Sequence, residues 1–164
     1  MPLIEQKQVN KKIINALKDY CGCEVIFANS NSDMPPYPFI SCTIITPSSG
    51  NSGTYCVQGE EHYREISQVW SITVQSTDDM ESLDIVYKAY DFLSNMGCVY
   101  LSENGIIVNS LTNITNRDTL LTFGYEFRKG FDVEFNLLDK VENPITETIE
   151  KFEIQLQESE EDDG

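Results

Sequence analysis

The chain has little with which to do acid–base or metal chemistry. One histidine, His62, stands among 164 residues, so a histidine-rich metal site or a Ser–His–Asp triad has almost nothing to work with. It opens a predicted strand beside a Gly- and Ser-rich loop, where a solvated strand-end residue is the simplest reading. Cations are also scarce: 11 Lys and Arg face 27 Asp and Glu, for a net charge of −16. A groove that grips phosphates needs the opposite balance, although a polyanion could pass nearby without sticking. No apolar run approaches membrane-spanning length, and no membrane partner is expected. The N-terminal MPLIEQKQVNKKII has neither an unbroken apolar core nor a small-residue cleavage site, so a soluble protein made in a cytoplasm is expected. No P-loop, dinucleotide fingerprint or Gly-x-Ser-x-Gly elbow is present. No catalytic, cofactor-binding or metal residues are therefore assigned, and no cofactor is expected.

The five cysteines, Cys21, Cys23, Cys42, Cys56 and Cys98, are odd in number, which suits free thiols better than a disulfide framework. Cys21-Gly22-Cys23 looks like half of a thiolate metal site, but no second close pair completes it, and small buried thiols are the simpler account. Asp78, Asp79, Glu81 and Asp84 cluster at a predicted helix start. They could attract a cation, yet dipole compensation and a solvated face explain them without one. Asn113-Ile114-Thr115 matches a glycosylation sequon, which means nothing without secretion.

What the chain does have is apolar content, 40% of its residues, enough for one domain with a real core. Residues 3–20 carry Ile4, Val9, Ile13, Ile14, Leu17 and Tyr20 near helical spacing, and a helix is predicted to end at Cys21-Gly22. EVIFA (24–28) reads as a short strand, NSNSDMPPYP (29–38) as a loop and FISCTIIT (39–46) as a strand. PSSGNSGTYCVQGEE (47–61) reads as a long flexible loop. Residues 62–75 form the next strand, with Ile66, Trp70, Ile72 and Val74 on one parity. A helix then starts at residues 77–81, presents Leu83, Val86, Tyr87, Tyr90 and Leu93, and stops at Gly97. Residues 98–101 are predicted as a short strand, 102–105 as an Asn-Gly turn, and 106–115 as a strand. The class is α+β: one mostly antiparallel β-sheet covered on one face by two α-helices, with long loops and an extended C-terminal tail. Trp70 and most of the sixteen Tyr and Phe residues are expected in the core.

GYEFRKGFDVEFNL, residues 124–137, is the most unusual stretch. Tyr125, Phe127, Phe131, Val133, Phe135 and Leu137 alternate with polar residues, and only Lys129 breaks the apolar parity. With the residues in front, the pattern runs for about fifteen residues, or roughly 50 Å. Such a strand should overshoot its own domain and leave backbone groups in need of a partner. Gly124 and Gly130 are where it could bend, and a bulge or kink is predicted at Gly130. A linker is predicted near Lys140, dividing a domain of residues 1–140 from an acidic extension, 141–164. That extension holds nine acids and one Lys. Its Ile145, Ile149, Phe152 and Leu156 recur at helical spacing, while Phe152, Ile154 and Leu156 also alternate as in a strand. It reads either as a solubilising tail or as a segment that docks, with Ile149, Phe152, Ile154 and Leu156 as the docking candidates.

Three segments together resemble a known family: YPFISCTIITP (37–47), QVWSITVQSTDDMESLDIVYKAYDFL (68–93) and GIIVNSLTNITNRDTLLTFGYEFRKGFDVEFNL (105–137). With the Ile114-Thr115-Asn116-Arg117 turn leading into Tyr125-Glu126-Phe127-Arg128-Lys129-Gly130-Phe131-Asp132-Val133, they are similar to the neck or tail-terminator proteins of long-tailed bacteriophages. The resemblance covers roughly residues 5–140. It implies a non-enzymatic virion protein, assembled in the host cytoplasm into a six-subunit homo-oligomeric ring at the neck. Such a ring caps the finished tail tube, meets a stopper or connector protein above, and lets DNA pass through its lumen without specific binding. Glu126, Arg128, Lys129, Asp132 and Glu134 become candidate inter-subunit or lumen residues. Pro35, Tyr37, Ser49, Tyr55, Glu60 and Glu61 become candidate partner-contact loop residues. The alternatives are another neck ring (a head-completion, stopper or adaptor protein) and a small cytoplasmic ligand-binding domain, which would need a concave pocket with convergent polar groups.

Overall fold

The computed structural model describes residues 5–49, 56–58 and 61–142. The tail-docking candidates Ile149, Phe152, Ile154 and Leu156, and the loop candidates Tyr55 and Glu60, lie outside them. Helix α1 (Gln6–Cys21) buries Ile13, Leu17 and Cys21, one residue per turn. It ends where Gly22 adopts φ 70° and its N–H bonds the Lys18 carbonyl, a left-handed cap that suits glycine. Strand β1 (Glu24–Phe27) runs parallel to β2 (Phe39–Thr46). The other pairings are antiparallel, linking β2, β3 (Cys56–Gln58), β4 (Glu61–Ser76), β5 (Ile106–Leu111), β6 (Thr115–Asn116), β7 (Thr119–Leu121) and β8 (Gly124–Glu142). The main strand order is β1-β2-β4-β8-β5, with β3 on β4 and both β6 and β7 on β8. The class is α+β with a mostly antiparallel sheet, as the residue pattern predicts.

Helix α2 (Asp79–Ser94) opens with Asp78 as its N-cap, accepting from the Met80 N–H. Two more acids of the cluster are engaged locally: Asp79 pairs with Lys129 at 2.8 Å, and Glu81 accepts from the Ser76 hydroxyl at 2.7 Å, while Asp84 is exposed. A third helix, α3 (Met96–Glu103), stands where a strand was predicted over 98–101 and where α2 was predicted to run on to Gly97. Gly97 explains the difference. A Cβ there would lie 2.5 Å from the Phe92 carbonyl oxygen, so only glycine lets the chain break after Ser94 and fold back on Phe92. A four-residue apolar run carries no period with which to tell that helix from a strand.

The core lies between the helices and one sheet face. Trp70, Ile72 and Val74 of β4 and Phe131, Val133 and Phe135 of β8 are fully buried there. Trp70 meets Phe135 edge to face at 5.6 Å, and each such side chain contributes about 1.5–3 kcal/mol by leaving water. Cys21 and Cys42 are buried free thiols. Burial pushes both thiols up to about 12, so they remain protonated and inert at neutral pH.

β8 carries no bulge at Gly130. β4 and β8 hold a single register from Ser76↔Phe127 to Glu61↔Glu142. The irregularity falls on the neighbouring strand, where Asn109 is the extra residue between Val108↔Phe135 and Ser110↔Glu134. Only Gly124 has a positive φ in β8, 137°, at the turn that starts it. The strand predicted over 106–115 is accordingly broken into β5 and β6.

The predicted overshoot is a paired ribbon rather than a bare strand. The β4–β8 ladder continues past the last β2 pair, Thr46↔Val69, and past the first β5 pair, Ile106↔Leu137. β3 joins β4 in that projecting arm. Among the described residues the other edge of β8 has no strand partner beyond Leu137. β8 also runs to Glu142, two residues past the expected linker.

Candidate assembly surface

The face of the sheet opposite the helices is polar and half exposed. Directly paired residues share a face, so Ser71, Thr73 and Gln75 of β4 lie beside Asp132, Gly130 and Arg128 of β8 on this outer side. One side chain ties it together. The Arg117 guanidinium donates to the hydroxyls of Ser71 and Thr73 at 2.7 and 2.8 Å, and to Asp132 at 3.2 Å. It crosses β8 directly above Gly130, where a Cβ would sit 2.7 Å from Nη1 and 2.6 Å from the Ile72 carbonyl oxygen. Gly130 is thus a clearance for Arg117, not a hinge.

The next residue grips the same strand from its own side. Asp118 accepts from the Arg128 backbone N–H at 2.8 Å and from Lys129 Nζ at 2.7 Å. Asn116 holds it by accepting from the Asp118 N–H. Partial burial raises the Asp118 pKa, but the bonds from Lys129, the Arg128 amide and the Asn116 turn outweigh this and hold the carboxyl below its ordinary 3.8. Lys129 answers in kind. Its burial lowers the pKa, yet bonds to Asp118 and Asp79 keep it above 10.5.

Of the predicted inter-subunit or lumen residues, two are buried inside the chain. Glu126, 3% exposed, is paired by Arg128 Nε and by the Tyr37 hydroxyl. Lys129, 5% exposed, sits on the helix side between Asp79 and Asp118, so it keeps the strand parity and places a charge on its apolar face. Arg128, Asp132 and Glu134 are half-buried on the outer face, with Glu134 accepting from Ser110 at 3.3 Å. Of the partner-contact candidates, Pro35 and Tyr37 are half-buried in the loop that folds over this face, and Tyr37 stacks on the buried Phe39 at 5.5 Å. Hydrogen bonding to Glu126 holds the Tyr37 phenol above its ordinary 10.0. The Ser49 N–H donates to the Ser67 carbonyl. Glu61 is described as the first backbone pair of the arm, with Glu142.

Reasoning from the residues missed two features. The residue pattern places Arg117 only in a turn and assigns Asp118 no role, although an Arg-Asp pair beside a strand with a lone Lys and a Gly is the signal for a clamp. The β7–β8 hairpin also exposes three large apolar side chains, Leu120 at 67%, Phe123 at 75% and Tyr125 at 60%. Leu120 pairs directly across from Tyr125. A cluster of this kind marks a contact surface.

Among the described residues, no group of three or more His, Cys, Asp or Glu could hold a metal ion, and no helix is long and apolar enough to cross a membrane. The family model described as phage neck terminator protein matches residues 11–162. The match reaches well past residue 140, so the acidic extension, placed outside the resemblance by its residues alone, falls within it. No curated protein matches the chain.

Proposed function

From the premise that the chain belongs to the phage neck terminator family, a structural virion family, we propose that it forms a ring, of six subunits, that caps the completed tail tube. The ring joins the tube to the head's stopper or connector and lets DNA pass through its centre. The observation that carries the ring reading is the projecting β4–β8 arm. Its open β8 edge beyond Leu137 is a row of backbone donors and acceptors that a neighbouring subunit can satisfy. An arm reaching from one subunit to a different surface of the next is a head-to-tail contact, which closes into a ring when the rotation permits. The exposed Leu120, Phe123 and Tyr125 lie in the β7–β8 hairpin, at the end of β8 away from the arm, and offer a second contact, towards the tube or the connector. The net charge of −16 disfavours adhesion to DNA, so a duplex would slide rather than bind.

Electron microscopy of virions with this subunit located tests the reading. Density at the head–tail junction, and overlong or headless tails on deletion, are the expected outcomes. Density elsewhere in the particle overturns it.

A further inference from the structure

The helix layer carries a groove that the ring reading does not use. It measures about 470 Å³ and lies between the C-terminal turns of α1 and the α2–α3 junction. Helical spacing builds both walls. Ala16, Asp19 and Tyr20 fall within one turn of α1 and share a side, and Met96 and Tyr100 stand four apart on α3. Phe92 forms the floor, its ring 4.8 Å from that of Tyr20. The floor is 7% exposed, whereas Met96 is 74% exposed and Tyr100 46%. An apolar floor with walls this open is short of a cover.

The charge facing the groove has one sign. Asp19 lines it and has no ion pair among the described residues. Asp91 stands behind Tyr20, accepting from its hydroxyl at 3.2 Å and from the Asn95 amide at 2.6 Å. The bond to Asp91 holds the Tyr20 phenol above its ordinary 10.0, and no cation acts against it. Lys18, beside Asp19 in the chain, is paired with Glu24 at 3.0 Å. Lys12 and Lys88, one turn from Ala16 and Phe92, lie outside the lining. Aromatic faces and a bare carboxylate favour the same visitor, a cation. A guanidinium suits them best, since it stacks on rings and its planar fork matches a carboxylate.

The size of the groove sets the rest of the visitor. Sites of roughly 300–1,000 Å³ enclose drug-sized ligands, so 470 Å³ admits an arginine together with an apolar neighbour. This chain has no arginine to spare for a second copy of itself. It has three: Arg117 is paired with Asp132, Arg128 with Glu126, and Arg64 is also engaged. We propose that the α1–α2–α3 groove docks an arginine-bearing, otherwise apolar segment of a partner protein. The guanidinium lies over the Phe92 and Tyr20 rings and reaches Asp19, while the apolar neighbours cover Met96 and Tyr100. A chain of net charge −16 also draws such a basic segment in at long range.

A titration of the isotope-labelled full-length chain, followed by NMR, tests this with three capped tripeptides: Leu-Arg-Leu, Leu-Gln-Leu and Leu-Glu-Leu. Leu-Arg-Leu should move the amide signals of residues 15–20 and 92–100 and bind at least about threefold more tightly than Leu-Gln-Leu, the gain of a partly exposed ion pair. Leu-Glu-Leu should bind more weakly than either. Asp19→Asn, an exposed change, should remove the preference for arginine and leave Leu-Gln-Leu unaffected. Met96→Ser should weaken the arginine and glutamine peptides alike. No movement of these signals at millimolar peptide would overturn the proposal, as would equal affinity for the three peptides or a preference that survives Asp19→Asn. The same signals moving with protein concentration alone would also overturn it, by assigning the groove to a second copy. The result does not depend on ring formation, because a single subunit suffices to read it.

Discussion

The two halves of β8 hold their charges in opposite ways. From Phe131 to Leu137 the alternation behaves simply: apolar side chains are buried on the helix side, and Asp132, Glu134 and Asn136 are half exposed on the outer side. From Glu126 to Lys129 both faces bury a charge, Glu126 beneath the Tyr37 loop and Lys129 beneath α2. The difference teaches that parity assigns a residue to a face, whereas burial depends on what arrives from elsewhere to cover it. In the first half three separate segments arrive: the Pro-rich loop, the Asp79 turn of α2, and the Asn116–Asp118 turn.

The comparison can be broken by substitution, and the largest effect should come from the simple half. Phe131→Ala removes a fully buried ring and should cost about 3–5 kcal/mol in urea unfolding. Lys129→Ala leaves Asp79 and Asp118 facing each other without their shared cation. It should cost about 3 kcal/mol, the lower end for a broken buried pair because the acids are partly solvated. If it costs no more than a surface change, the two halves do not differ in the way described. Gly130→Ala forces a Cβ against the Ile72 carbonyl and the Arg117 guanidinium and should cost about 1–3 kcal/mol. Combined with Arg117→Ala it should cost less than the two changes summed, a coupling read by a double-mutant cycle. Glu134→Ala, in the simple half, should change stability by less than about 0.5 kcal/mol.

The pH dependence sharpens the same contrast. Asp118 has a folded pKa below its ordinary 3.8, so its contribution is complete above that value and is lost as pH falls through the folded one. The stability gap between wild type and Asp118→Asn should therefore be full at neutral pH and close only in strong acid. Lys129 and Tyr37 are raised above 10.5 and 10.0. Their contributions are present below those values and fade as pH rises past them, so Lys129→Ala should gain on the wild type only in strong alkali. Denaturant midpoints across the pH range check both limbs.

Elements with a strong period were legible from the residues. β2 is the predicted 39–46, α1 ends at the predicted Cys21-Gly22, and Asp78 caps α2 within the predicted start. α3 was not legible, since its fold-back depends on Gly97 packing against Phe92, a contact with no periodic signature. The absence of a bulge at Gly130 was not legible either. A glycine in a strand reads as a weak point until the side chain that needs its space is seen, and here that side chain comes from Arg117, thirteen positions away.

The sequence by itself determined the α+β class, the apolar stripe of β8 and the excess of acid, because periodicity and composition are local properties of the chain. It also carried the family motif around residues 114–133. Only the tertiary structure decided which charges are buried, that the long strand is a paired arm rather than a bare overhang, and that Arg117 and Asp118 clamp β8. The physical reason is range: a side chain's solvation is set by whichever distant segments pack over it, and neither alternation nor composition records which segments those are.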